Sequence, residues 1–94
     1  MHEGLDGHKQ RSAFTAAEHA LRALGTANAE KARKAAAKAA DLDQIGIYAG
    51  LVAAVEPLAD RLDRGEAIND AGWDRLVETL GMGPLNGLIA ELRG

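Results

Sequence analysis

The sequence predicts an all-α fold, a small bundle of about five helices, and three observations lead there. Apolar residues recur every three or four positions through most of the chain, and no segment alternates as a strand does. Glycine or proline stands at the breaks between those patterns. Alanine supplies much of the 47% apolar share, and only Phe14, Tyr48 and Trp73 are aromatic, so a thin, close-packed core is expected. A chain of 94 residues suits one domain, near the size at which a single core suffices without staples. The organisation expected is a flexible tail over residues 1–11 followed by one helical domain over residues 12–94.

The first eleven residues are polar and glycine-containing, with little to bury. His2, Glu3, Asp6 and His8 lack the rigid spacing of metal ligands and read as a solvated tail. Ser12 can cap a first helix, and Thr15 with Glu18 offers a capping box one turn later. Phe14, Ala17, Leu21 and Leu24 share one face, Glu18 and Arg22 make an (i, i+4) pair, and Gly25 supplies a stop. Asn28 can cap a second helix whose inner face, Ala29, Ala32, Ala36 and Ala39, carries only methyl groups. That face adds little burial, roughly 0.8 kcal/mol per position at best, but lets a neighbouring backbone come close. Lys31, Lys34 and Lys38 lie opposite, with Arg33 nearby.

The run of residues 30–43 resembles the second helix of a tetratricopeptide repeat, with Ala32, Ala36 and Ala39 at its small-residue positions. The resembling run is 14 of the chain's 94 residues. The aromatic and glycine positions of that repeat's first helix, its closing proline and a second copy are missing, and an alanine-rich helical hairpin accounts for the same residues.

The longest apolar pattern lies in residues 45–62, where Ile45, Tyr48, Val52, Val55, Ala59 and Leu62 form a stripe widened by Ile47, Leu51 and Leu58. A central helix opened by Asp41 or Asp43 and closed by Gly65 would be a rod of about 32 Å. Gly46 and Gly50 form a ledge suited to the alanine face of the second helix, and Pro57 should kink or divide the rod. Asn69 or Asp70 can cap a fourth helix carrying Trp73, Leu76, Val77 and Leu80, which Gly81 and Gly83 break. Pro84 suits the first position of a fifth, with Leu85, Leu88, Ile89 and Leu92 on one side. The central helix is thus expected between an N-terminal alanine-rich hairpin and a C-terminal leucine-rich one.

Charge is divided along the chain. Residues 9–38 hold seven cations against two acids, whereas residues 41–94 hold four cations against ten acids. Such halves attract each other within one fold or between copies of it. The chain has no cysteine, hence no disulfide framework or thiolate site, which fits a reducing compartment. Residues 1–7 lack the apolar run of a secretory signal, and the longest uncharged stretch, residues 44–55, falls short of the ~20 residues of a bilayer span. A cytoplasmic protein without membrane association is expected.

No constellation for catalysis, metal or cofactor binding stands out: no P-loop, dinucleotide-type glycine loop or nucleophile elbow, and a single serine suited to capping. The expectation is a non-enzymatic module for protein–protein interaction or self-association, with another protein or a second copy as partner and a homo-oligomer as the result. Trp73, Leu85, Leu88, Ile89 and Leu92 are the expected partner surface. The alternative is weak, non-specific and salt-dependent nucleic-acid binding through Lys31, Arg33, Lys34 and Lys38.

Overall fold

The computed structural model describes residues 7–80 and 83–93 and is all-helical, with no strand among those residues. The helices are α1 (Gly7–Gly25), α2 (Ala29–Leu42), α3 (Leu51–Asp63), α4 (Asp70–Leu80) and α5 (Pro84–Arg93). Residues 1–6 of the expected tail, with His2, Glu3 and Asp6, and the expected break at Gly81 lie outside the described residues.

Each helix packs on the next, and α5 returns to α1, so the five close into a ring. Contacts fix the directions. Gln10 near the start of α1 meets Asp43 at the end of α2, and Arg33 early in α2 meets Asp63 at the end of α3. Gly50, just before α3, lies beside Thr79 late in α4, and Arg93 ends α5 against Asp70 and Asp74 at the start of α4. Neighbours in sequence therefore run antiparallel. An odd number of up-and-down helices leaves one parallel seam, which falls between α1 and α5, where Gly25 and Leu92 bring two C-terminal ends together. With 10 residues against 19, α5 covers only about half of α1, roughly 15 Å of 28 Å, and leaves its N-terminal half to other elements.

The core is built from methyl groups on one side and branched side chains on the other. Ala13, Ala16, Ala17, Ala20 and Ala23 of α1 and Ala29, Ala32, Ala36 and Ala39 of α2 are buried. Leu21, Leu51, Val55, Leu76 and Ile89 are its largest fully enclosed side chains, and Trp73 is nearly so. A Cβ on Gly72 would come within 2.7 Å of Leu58, so the absence of a side chain there sets how closely α4 approaches α3.

Several expected boundaries move. α1 starts at Gly7, so Ser12 lies within the helix rather than capping it, and residues 7–11 are helical instead of belonging to a tail. Thr15 donates its hydroxyl to the Arg11 carbonyl instead of opening a capping box. The central helix is shorter than expected: α3 begins at Leu51, and residues 44–50 form turns. Asp43, expected to start that helix, ends α2. The Gly46–Gly50 ledge does not meet α2, because Gly46 adopts φ +80° with no atom within 4 Å of its missing Cβ, while Gly50 faces Thr79. α3 runs through Pro57 in one stretch, although proline leaves the Ala53 carbonyl without its helical donor.

The caps follow the sequence more closely. The Asn28 side chain accepts from Lys31 N at 3.1 Å, and that of Asn69 accepts from Gly72 N at 2.9 Å. α1 and α3 end in the same motif. In α3, Glu66 N donates to Arg61 O and Gly65 N to Leu62 O, with Gly65 at φ +79°. In α1, Asn28 N donates to Ala23 O and Ala27 N to Leu24 O, and the left-handed residue is Ala27 at φ 60°. Gly25, expected as the stop, instead makes room for Leu92.

A side chain in the left-handed region is strained where glycine is not. Ala27→Gly is therefore expected to stabilise the chain by about 0.5–1 kcal/mol and raise Tm by a few degrees in thermal denaturation.

Candidate interaction surface

Asp43 organises the turn between α2 and α3. Its Oδ1 accepts from Gln10 Nε2 at 3.0 Å, Gly46 N at 3.1 Å and Ile45 N at 3.2 Å, and its Oδ2 accepts from Tyr48 N at 2.7 Å. The side-chain Oε1 of Gln10 in turn accepts from Gln44 N at 2.8 Å. Four donors converge on one carboxylate, and the backbone N–H groups among them are withdrawn from any helical ladder. This is why residues 44–50 turn instead of extending α3. Burial pushes the Asp43 carboxyl up, but hydrogen bonds from Gln10 and the backbone outweigh it and hold the group below its ordinary value. Burial and the adjacent Asp43 charge push the Tyr48 phenol up.

The turn buries Tyr48 and leaves its neighbours out. Ile45 is 51% exposed and Ile47 46%, and Val52 in the first turn of α3 is 39% exposed. These are the large aliphatic side chains that the described fold leaves uncovered, and they sit within a single short segment. Sequence periodicity placed Ile45 and Val52 on a buried stripe; with the helix starting at Leu51, the buried set becomes Leu51, Ala54, Val55, Leu58 and Ala59. The sequence did hold a signal, since Asp43 three positions before a glycine is an Asx-type turn start.

The expected partner surface lies elsewhere in the fold. Trp73, Leu85, Leu88 and Ile89 are buried in the chain's own core, and Leu92 is half-buried beside Gly25. The chain covers these residues itself.

The expected basic face divides. Arg33 points to α3, where its Nε reaches Glu56 at 3.0 Å and its terminal nitrogens reach Asp60 and, at 2.8 Å, Asp63. Those acids occupy successive turns of one helix face, and only a fork-shaped cation satisfies all three. Hydrogen bonds to Glu56 and Asp63, ahead of that to Asp60, hold the guanidinium pKa above its already high value. Lys34 pairs with Glu30 at 3.2 Å. Lys31 and Lys38 are exposed on another side of α2 and make no ion pair among the described residues.

Between α1 and α2 runs a groove of about 550 Å³. Arg11, Lys38 and His19 line it with the hydroxyl-bearing Ser12 and Thr15, over Ala16, Ala35 and Leu42. His8 and Lys9 stand at the same end. A second, smaller hollow lies past His19, lined also by Arg22 and Lys31. Leu42 leads through Asp43 and Gln44 into Ile45, and Asp43 and Gln44 are hydrogen-bonded to Gln10 of α1, the neighbour of Arg11 in the groove lining. No group of three or more metal-ligating side chains forms among the described residues. No helix is long and apolar enough to cross a membrane, again among those residues.

Two outcomes follow from the charged contacts. Asp43→Asn is expected to cost about 1–3 kcal/mol at neutral pH in urea denaturation, because an amide offers one acceptor oxygen in place of two. The Asp43 pKa is lower folded than unfolded, so its contribution is complete above the ordinary value of about 3.9 and disappears as pH falls through the lowered one. The gap between wild type and variant should therefore close as pH falls through that lowered value. Arg33→Ala is expected to lower Tm, with a larger deficit at about 20 mM than at about 1 M NaCl.

Comparison with protein-family models, with curated proteins and with solved structures finds no match, so the functional reading rests on this chain's own surface.

Proposed function

We propose that the chain is a non-catalytic protein-interaction module, and that the turn bearing Ile45, Ile47 and Val52 is where a second protein, or a second copy of the chain, docks. The observation carrying this reading is the confinement of exposed large aliphatics to one segment whose backbone is tied by Asp43. Isolated exposed aliphatics are common on any surface; a group of them on an ordered turn loses little conformational entropy on binding. Full burial of such side chains is worth about 1.5–3 kcal/mol each, and these are already about half covered, so the turn supplies roughly 2–4 kcal/mol. That is enough for a transient contact and too little for a tight one without further groups.

Nucleic acid is the weaker reading. Two of the four cations expected to serve it, Arg33 and Lys34, are engaged with carboxylates of the chain.

The test uses Ile45→Glu/Ile47→Glu, two exposed positions whose replacement should leave the circular dichroism spectrum unchanged. Sedimentation of the wild type from about 1 to 100 µM reads self-association, and capture from lysate of the source cells reads a heterologous partner. Loss of the self-associated species or of the captured partner in the variant is expected. Indistinguishable behaviour of the two proteins would overturn the reading.

A further inference from the structure

Resting on that reading, we propose that the groove between α1 and α2 receives a carboxylate-rich segment of the partner protein, with the aliphatic turn holding the segment's apolar residues. The described residues that line the groove include Arg11, Lys38 and His19 and no Asp or Glu. Arg22, Arg33, Lys34, Arg61, Arg64 and Arg93 all pair with acids of the chain itself. Arg11 and Lys38 make no such pair among the described residues, although the chain carries more acids than bases. A fold that neutralises most of its cations internally and leaves these two facing one groove presents a positive strip to an outside anion.

The chemistry of the lining selects among anions. Arg11 presents a fork that fits a carboxylate through two parallel hydrogen bonds, Lys38 a point charge, and Ser12 a hydroxyl donor. Ser12 to His19 spans about 10 Å of helix, the length of roughly three extended residues. Ala16, Ala35 and Leu42 in the lining give apolar side chains a place beside the charged ones, and Ile45 follows Leu42 by three residues in the chain. A polynucleotide fits less well. Tyr48 and Trp73 are buried, and Phe14 packs against the core and does not line the groove, so no aromatic there offers bases a stacking platform; the ten acids of residues 41–94 also repel a long polyanion. The groove also supplies what the aliphatic turn lacks, since charge pairing adds steering and register to a weak apolar contact.

Fluorescence anisotropy on the full chain tests this with three labelled probes: a peptide of about twelve residues rich in Glu with two Leu, the same peptide with Gln for Glu, and a uridine oligonucleotide of similar length. The acidic peptide is expected to bind, to weaken at least about tenfold in Arg11→Glu/Lys38→Glu, and to weaken between about 50 and 300 mM salt. The Gln peptide should not bind detectably. Arg11→Gln/Lys38→Gln, which removes charge without reversing it, should give an intermediate loss, and circular dichroism checks that each variant is folded. Failure of the acidic peptide to bind, binding indifferent to both pairs of substitutions, or tighter binding of the oligonucleotide would overturn the assignment. If the acidic peptide fails while Ile45→Glu/Ile47→Glu still abolishes capture, the groove assignment alone falls; capture indifferent to that variant overturns the earlier reading as well.

Discussion

One carboxylate decides how the two halves of this chain meet. Asp43 ends α2, gathers the N–H groups of Ile45, Gly46 and Tyr48, and holds the side chain of Gln10 from α1. An ionised acceptor close to several backbone donors outcompetes the helix for them, because charge-assisted hydrogen bonds are about twice as strong as neutral ones. The turn that results brings Tyr48 inward and Ile45 and Ile47 outward. It also places the aliphatic turn next to the open, N-terminal part of α1, which the short α5 leaves uncovered.

The opposite constraint operates along α2. Its inner face contributes only methyl groups, so it gains little from burial per position and depends on close approach. Its outer side is tied by Arg33 to three acids on successive turns of α3. Each of those contacts is solvent-exposed and individually weak, but the shared guanidinium also removes the mutual repulsion of Glu56, Asp60 and Asp63. A similar tie closes the C-terminal pair, where Arg93 reaches Asp74 at 2.9 Å and Asp70 at 3.4 Å. Arg33 thus ties the basic front to the acidic back, whereas Arg11 and Lys38 at the groove make no ion pair among the described residues.

Much of the fold was legible in local chemistry. The period of apolar residues gave five helices, and Asn28, Asn69, Gly65 and Pro84 mark the ends that their side chains or backbones specify. The candidate surface was not legible in the same way. Periodicity cannot tell a helix from a turn when the turn is enforced by a side chain just outside the window, so Ile45 and Val52 were assigned inward. Hydrophobicity also cannot tell core from interface: Trp73, Leu88 and Ile89 are as apolar as a partner surface requires, and the chain's own core already encloses them.

The sequence by itself determined the helical class, most helix ends and the division of charge, because each depends on residues within a turn or two of one another. Only the tertiary structure decided which apolar and charged groups stay free. Arg33 is spent because α3 lies beside α2, Leu92 is half-buried because Gly25 admits it, and Ile45 is exposed because Gln10 and Asp43 meet where α1 packs on α2. Exposure is a property of what packs nearby, and packing joins residues that the chain order keeps apart.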